Sequence, residues 1–201
     1  MAITIEQIKM LREETGAGVM DCRNALEKSN GDLEKAMEYL REKGLATAIK
    51  RADREASEGV VELYSHGNGR VGVMVEVNCE TDFVARSEAF RAFAHEIALQ
   101  IAAGAPTYTR PEEIPAEVLE QEREKSRKHA LEEGKPEAEA ERIVEVRLQK
   151  FLEEVCLLRQ LYIRDEDMTV EKLLLQNIAA IGENIIIRRF VRWELGEQTT
   201  G

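Results

Sequence analysis

The feature that most constrains the fold is a strict two-residue alternation at residues 71–77, where valine occupies every odd position. The even positions hold glycine, methionine and glutamate. Because the side chains of a β-strand point alternately to opposite faces of a sheet, this pattern predicts a strand with one buried face. Residues 66–69, His-Gly-Asn-Gly, are typical of a hairpin turn, and residues 60–64 before them predict the partner strand.

A third strand is predicted at residues 185–195, whose odd positions are apolar except for Arg189 and include Trp193. Between the strands, apolar residues recur at helical spacing. Three antiparallel strands with flanking helices predict an α+β core. Helices of this core are predicted at residues 90–103, from residue 116 to a turn at 134–136, directly after that turn, and between a cap at Thr169 and an end at Gly182. In the third of these helices, the predicted inward side chains are Ile143, Val146, Phe151 and Val155.

The first 44 residues predict a separate module of three short helices. Thr4 followed by Gln7 matches the spacing of a capping box at the start of the first helix. Gly44 is the predicted C-cap of the third helix. Such a small core is marginal, and modules of this size usually bind a partner. Residues 45–58 are mixed in charge and predict a helical linker, which leaves residues 59–201 for the α+β core.

The charge balance disfavours nucleic acid as a partner. The chain has 28 basic and 39 acidic residues, a net charge of -11, whereas a nucleic-acid binder needs a basic face to neutralise phosphates. No apolar run approaches the length that crosses a bilayer, and no signal peptide is visible, so we expect an acidic cytoplasmic protein without membrane contact. Cys22, Cys79 and Cys156 are widely spaced and predict free core thiols.

Motifs of enzymes are absent from the sequence. Gly67 to Gly72 matches the G-x-G-x-x-G spacing, but a strand follows it where a dinucleotide site requires a helix. No phosphate-binding loop, zinc-protease motif or nucleophile elbow is present, and the three histidines are isolated. We therefore expect no catalytic residue, no metal ligand and no cofactor.

The stretch ETDFVARSEAF at residues 80–90 places an aromatic side chain at the corner between a strand and a helix. Two interpretations of Phe83 remain open at this point. It is either a core residue near a turn or a side chain meant for the pocket of another protein. Thr81 and Asp82 suit the cap of a helix under both interpretations. Val84 is better explained by packing than by contact with a partner.

Several segments, in order along almost the whole chain, closely resemble the bacterial elongation factor Ts family. The stretches TGAGVMDC and NCETDFVAR are the most specific to that family, and the middle, about 104–142, is the least distinctive. The matching segments are LREETGAGVMDCRNAL at 11–26, NGDLEKAMEYLREKG at 30–44, EGVVELY at 58–64, GRVGVMVEVNCETDFVAR at 69–86 and IGENIIIRRFVRWELGE at 181–197.

The resemblance implies a guanine-nucleotide exchange factor for the translational GTPase elongation factor Tu. In that family, the three-helix module resembles ubiquitin-associated (UBA) domains and docks on the GTPase domain. The corner, here Thr81, Asp82, Phe83 and Val84, pushes into that domain near the magnesium of the nucleotide. The ion is dislocated, and GDP leaves.

The resemblance also implies contacts by the N-terminal module. Arg12 and Met20 border the turn at residues 15–18, and the family suggests that this edge faces elongation factor Tu, although Met20 suits a core position equally. Short members of the family form dimers, which predicts a homodimer of this chain. Trp193 then lies either in the core or at that interface.

Two other functions remain as alternatives. A UBA-like adaptor would bind partners through residues 1–44 alone, without exchange activity. An unrecognised enzyme in the α+β core would turn over a small molecule by itself.

Overall fold

The structure, a computed structural model, describes residues 3–197. In this range the chain forms eight α-helices, five strands and two short 3-10 turns, at Pro111–Glu113 and Leu157–Arg159. The helices are α1 (Ile5–Thr15), α2 (Val19–Lys28), α3 (Leu33–Arg51), α4 (Asp82–Ala85), α5 (Glu88–Gly104), α6 (Ala116–Glu132), α7 (Glu137–Val155) and α8 (Val170–Ile181). The strands are β1 (Glu58–His66), β2 (Val71–Cys79), β3 (Leu161–Tyr162), β4 (Asp165–Thr169) and β5 (Ile185–Glu194).

The main sheet has three antiparallel strands in the order β1-β2-β5, which confirms the predicted α+β class. The turn between β1 and β2 places Gly67, Asn68 and Gly69 at positive φ, as the hairpin pattern predicts. The antiparallel sense of β5 follows from two contacts with β2 and its turn. The Leu195 N–H donates to the Arg70 carbonyl at 2.8 Å, and Arg189 Nε lies 2.8 Å from Glu76 Oε2. Residue numbers therefore rise along β2 as they fall along β5, so the two strands are antiparallel.

A second, two-stranded sheet pairs β3 with β4 in antiparallel fashion. Leu161 lies opposite Thr169, and Tyr162 lies opposite Asp165. The sequence Asp-Glu-Asp-Met-Thr of β4 is poor in the β-branched and aromatic residues that mark strands, so no strand is predicted there. Tertiary pairing overrides this low local preference.

The chain divides into two compact units. The first contains the chain up to Val60, together with Val77–Phe93 and Lys172–Ile186. The second contains Val61–Glu76, Ala94–Glu171 and the chain from Ile187 onward. The predicted boundaries of 1–44, 45–58 and 59–201 stay a prediction.

In the first unit, α1, α2 and α3 enclose a small core of Leu11, Cys22, Ala25, Leu26, Ala36 and Leu40. The predicted capping box is confirmed, since the Gln7 N–H donates to Thr4 Oγ1 at 3.2 Å and the Thr4 N–H donates to Gln7 Oε1 at 3.0 Å. The predicted C-cap at Gly44 is wrong, because α3 continues to Arg51. A Cβ at Gly44 would lie 3.1 Å from Ala179 Cβ, so this glycine allows α8 to approach α3 closely.

The apolar faces of β2 and α5 are buried as predicted, with Val73, Val75 and Val77 on the strand and Phe90, Phe93, Ile97 and Ile101 on the helix. The predicted inward face of α7 is wrong at Val146, whose side chain is 58% exposed. The buried residues of α7 are instead Ala140, Val144 and Leu148. Four-residue spacing keeps these three side chains on one stripe, and Val146 lies on the opposite side.

The odd positions of β5 differ in burial along its length. Ile185 and Ile187 are buried, whereas Val191 and Trp193 are 47% and 75% exposed. Of the two predicted locations of Trp193, the core is therefore wrong. Exposed apolar side chains at this end of the strand lie on a face that none of residues 3–197 covers.

We expect Gly59→Ala to lower the free energy of unfolding by about 2–4 kcal/mol. Gly59 has φ +148°, and an added methyl group would overlap the Val77 carbonyl oxygen and lie 2.7 Å from Asn78 Cα. Both neighbours are backbone atoms of β2, which cannot move away without breaking the sheet. Urea unfolding followed by far-UV circular dichroism measures the change.

Gly72→Ala is the matched control, because a Cβ at Gly72 meets no atom within 4 Å. This variant should stay within about 0.5 kcal/mol of the parent chain. Equal unfolding midpoints for the two variants would contradict the predicted clash at Gly59.

Candidate functional site

The corner after β2 is built by the single-turn helix α4, Asp82–Ala85. Thr81 is its N-cap, as predicted, and accepts a hydrogen bond from the Val84 N–H at 3.3 Å. An extended backbone at Thr81 lets its side chain turn back onto the helix N-terminus. The chain thus changes direction between the end of β2 and the start of α5.

Phe83 and Val84 point to opposite sides of this turn. The Phe83 side chain is 82% exposed, whereas Val84 and Ala85 are buried. The interpretation of Phe83 as a core residue is therefore wrong. Burial of Val84 agrees with its predicted packing role. The turn therefore presents the phenyl ring of Phe83 to solvent, while the two side chains that follow it are buried.

Asp82 forms an ion pair with Arg86, one helical turn further on, at 2.9 Å. Both side chains are largely exposed, so this pair contributes little to stability. The Asp82 carboxylate stays at the surface, on the residue that precedes Phe83.

Two residues that sequence reasoning missed hold the strand end of the corner. Glu183 Oε2 accepts hydrogen bonds from the backbone N–H groups of Glu80 at 3.1 Å and Thr81 at 3.0 Å. Its other oxygen, Oε1, accepts from the Thr81 hydroxyl at 2.7 Å. In return, Glu80 Oε1 accepts from the backbone N–H of Asn184 at 2.7 Å. We call Glu80, Thr81, Glu183 and Asn184 the carboxylate bridge.

Cys79 ends β2 immediately before the carboxylate bridge. Its thiol donates to the Thr81 carbonyl at 3.2 Å. Burial raises the pKa of the Cys79 thiol to about 11, and the nearby Glu183, Glu58 and Glu80 carboxylates add to the rise. Cys22, Cys79 and Cys156 are all free and buried, which confirms the prediction of core thiols.

The two predicted N-terminal contact residues lie in a different place from the corner, on the helices that flank one turn. Arg12 lies in the last turn of α1 and Met20 in the first turn of α2, and both are exposed. Met20 is 63% exposed, so its alternative assignment to the core is wrong. Between them, Gly16 at φ +66° ends α1 and donates its N–H to the Arg12 carbonyl at 2.9 Å.

Within residues 3–197, no group of three or more His, Cys, Asp and Glu side chains is arranged to hold a metal ion. None of the helices described in that range is long and apolar enough to cross a membrane.

Comparison with known proteins identifies relatives along nearly the whole chain. A family model described as elongation factor TS matches residues 12–197. Elongation factor Ts of Carboxydothermus hydrogenoformans is 61% identical over 195 residues, which cover 97% of this chain and 90% of that protein. Elongation factor Ts of Caldanaerobacter subterraneus subsp. tengcongensis is 60% identical over 97% of this chain and 98% of that protein. The protein of the same name from Moorella thermoacetica is 56% identical over 97% of this chain and 96% of its own length.

The mixed fold with its exposed corner, together with these relatives, defines a translation elongation factor that acts in protein biosynthesis. The chain belongs to the elongation factor Ts family. The resemblance seen in the sequence is thereby confirmed.

We expect Cys79 to resist alkylation in the folded protein. A thiol with a pKa of about 11 is thiolate in only about one molecule per thousand at pH 8, and the thiolate is the reactive form. Alkylation should therefore be at least about 100-fold slower in the folded chain than in the urea-unfolded chain, and it should accelerate as the pH rises towards 11. Iodoacetamide labelling at pH 8, read by peptide mass spectrometry, measures both rates, and similar rates would contradict the assigned pKa.

Proposed function

We propose that this chain is the guanine-nucleotide exchange factor of the GTPase elongation factor Tu. In this proposal, the corner Thr81–Val84 enters the GTPase domain near the magnesium of the bound nucleotide and promotes the release of GDP. The observation that carries the proposal is the 82% exposed phenyl ring of Phe83 on a turn whose next two side chains, Val84 and Ala85, are buried. An exposed ring on a firm support is the form expected of a side chain that fills a partner's pocket.

An exchange factor can act without touching the nucleotide. If it binds the empty GTPase more tightly than the loaded one, linkage requires that it weaken nucleotide binding by the same factor. A rigid corner suits this role because it transmits a push instead of folding away. The chain then needs no catalytic group of its own, since release of GDP breaks no covalent bond.

Magnitudes indicate that Phe83 does not act alone. An aromatic anchor in an apolar pocket contributes about 2–4 kcal/mol, which corresponds to roughly 30- to 1,000-fold in affinity. Reversal of a two-state population from about 1:99 to 99:1 needs about 5.5 kcal/mol. Loss of the magnesium, which bridges phosphate and protein oxygens, would supply the remainder. The exposed Asp82 carboxylate either perturbs a ligand of that ion or holds the turn through Arg86.

We infer a docking role for the N-terminal helices, which we assign to a UBA-like module of residues 1–44. Arg12 and Met20 would meet the GTPase domain of elongation factor Tu. Exposed methionine is an adaptable apolar contact, and the adjacent Val19 is 49% exposed as well. Docking by this module would bring the corner to the nucleotide site at low concentration of the chain.

An adaptor without exchange activity is less well supported. It would use residues 1–44 alone and would leave Phe83 in water with no partner. Deletion of the corner would then leave its activity intact, whereas the exchange proposal requires the corner.

We also infer a homodimer formed through one face of the main sheet. Five large apolar side chains lie exposed on the strands of the main sheet, at Val61, Leu63, Met74, Val191 and Trp193. On the same face, Arg189 Nε and Glu76 Oε2 form an ion pair at 2.8 Å. The face therefore has little charge, although the net charge of the whole chain is -11. A neutral apolar face suits a second copy of the same acidic chain, because an isologous contact pairs identical patches. We propose no nucleic-acid partner and no membrane contact for this chain, and we assign the protein to the cytoplasm.

We expect Phe83→Ala to slow the exchange of nucleotide by about 30-fold or more. The measurement is the release of fluorescent GDP from elongation factor Tu with the parent chain, with the variant and with no addition. Release should be fast, slowed and slow, respectively. Val146→Ala, which removes another exposed apolar side chain, should behave as the parent chain. Equal release rates with the parent chain and without any chain would end the proposal.

We expect Trp193→Glu to convert the dimer into a monomer, because the new carboxylates would repel each other across an apolar contact. Sedimentation equilibrium should show two chains for the parent and one for the variant. Val146→Glu, which adds the same charge on α7, should stay dimeric. A parent chain that sediments as a monomer would disprove the inferred dimer.

A further inference from the structure

The shape of the corner depends on what holds its ends, because α4 has only four residues. A helix this short is unstable by itself, since one turn fixes several residues for very few hydrogen bonds. Buried Val84 and Ala85 hold the end that leads to α5. The end that leaves β2 carries Glu80 and Thr81, and its support comes from a distant part of the chain.

Glu183 supplies that support with both oxygens of one carboxylate. Oε2 receives two consecutive backbone N–H groups, from Glu80 and Thr81, while Oε1 receives the Thr81 hydroxyl at 2.7 Å. The same hydroxyl oxygen accepts the Val84 N–H that starts the helical turn. Hydrogen bonds to a charged acceptor are roughly twice as strong as neutral ones, so this carboxylate dictates the direction in which the chain enters α4.

The backbone that carries Glu183 is itself fixed. The Asn184 N–H donates to Glu80 Oε1, and its buried side-chain amide donates to the carbonyls of Ala52 at 3.2 Å and Arg54 at 2.7 Å. The turn between α8 and β5 therefore contacts both the corner and the segment that follows α3. These contacts all lie within the first unit.

We propose that Glu183 is the positioning residue of the exchange corner. Its carboxylate sets the backbone of Glu80 and Thr81, and through them the direction in which Asp82 and Phe83 project. This inference rests on the proposed exchange function. Glu183 does not touch the partner in this scheme; it acts through the geometry of Thr81 and α4.

Positioning and docking affect different kinetic quantities. A corner without the carboxylate bridge still reaches the complex, because Arg12, Met20 and the rest of the surface are unchanged. Once bound, it places its phenyl ring less often in the productive orientation, so the release rate at saturation falls. Simple loss of folded protein has the opposite signature, since it raises the concentration needed for half-maximal release and leaves the saturated rate unchanged.

The experiment titrates the 201-residue chain against elongation factor Tu loaded with fluorescent GDP. With Glu183→Ala, we expect the saturated release rate to fall about tenfold, while the half-saturating concentration changes by less than about threefold. Glu139→Ala is the matched control, because Glu139 is an exposed acid on α7 with one hydrogen bond to Lys135. It should leave both quantities at the parent values.

A pair of conservative variants separates the reach of the side chain from its charge. In Glu183→Gln, the amide oxygen still accepts the two backbone N–H groups, and the amide nitrogen donates to the Thr81 hydroxyl. Because all three groups keep a hydrogen-bond partner, this variant should keep the saturated rate within about twofold of the parent. Glu183→Asp keeps the charge but is one methylene too short to reach the same three donors, so it should resemble Glu183→Ala.

A double-mutant cycle tests whether Glu183 acts through the corner. If it does, Glu183→Ala added to Phe83→Ala should lower the saturated rate by less than about twofold, because the ring that it positions is already gone. Independent, multiplicative effects of the two substitutions would overturn the inference.

The outcomes separate this inference from the proposed function. A parent chain that does not accelerate GDP release disproves the exchange function itself. An active parent with an equally active, folded Glu183→Ala variant disproves only the positioning role. Thermal unfolding checks the fold of each variant. If Glu183→Ala does not fold, the Gln and Asp variants decide, and equal saturated rates for these two would likewise overturn the role of Glu183.

Discussion

The corner depends on hydrogen bonds between carboxylates and backbone N–H groups that are about 100 residues apart in the chain. Glu183 receives the N–H groups of Glu80 and Thr81, and Glu80 receives the N–H of Asn184. Every one of these N–H groups would otherwise need another partner at the end of a strand or the start of a helix, where regular structure stops. The carboxylate bridge satisfies them and fixes the angle between β2 and α4 in the same step.

The residues that follow the bridge divide their tasks between stability and function. Val84 and Ala85 are buried and hold the turn, whereas Phe83 is exposed and contributes little to the stability of the isolated chain. The same division is present on the main sheet, where Val73 and Val75 are buried while Leu63 and Trp193 remain exposed. Large apolar groups that are exposed on firmly held backbone are best explained by contact with a partner. The proposed partner of the corner is elongation factor Tu, and that of the main sheet is a second copy of this chain.

The sequence predicts elements whose signal is local. The valine alternation of β2, the Thr4–Gln7 capping box and the glycines of the hairpin each act over a few residues, and each is confirmed. Elements that depend on tertiary contacts were missed or misplaced. Glycine is typical of a helix end, which is why Gly44 is predicted to end α3. The close approach of Ala179 explains instead why a glycine lies inside this helix. On α7, the packing of neighbouring helices, and not the hydrophobicity of Val146, decides which stripe is buried.

The amino-acid sequence by itself determined the class of the fold, the order of its main elements, the family and the location of an aromatic residue at a strand-to-helix corner. These follow from periodicities and motifs that a short stretch of chain contains in full. Only the tertiary structure decided that Phe83 faces solvent and that Glu183 holds Thr81. Side-chain direction at a turn and hydrogen bonds between distant residues depend on how the chain folds back on itself, and no local pattern of residues encodes that path.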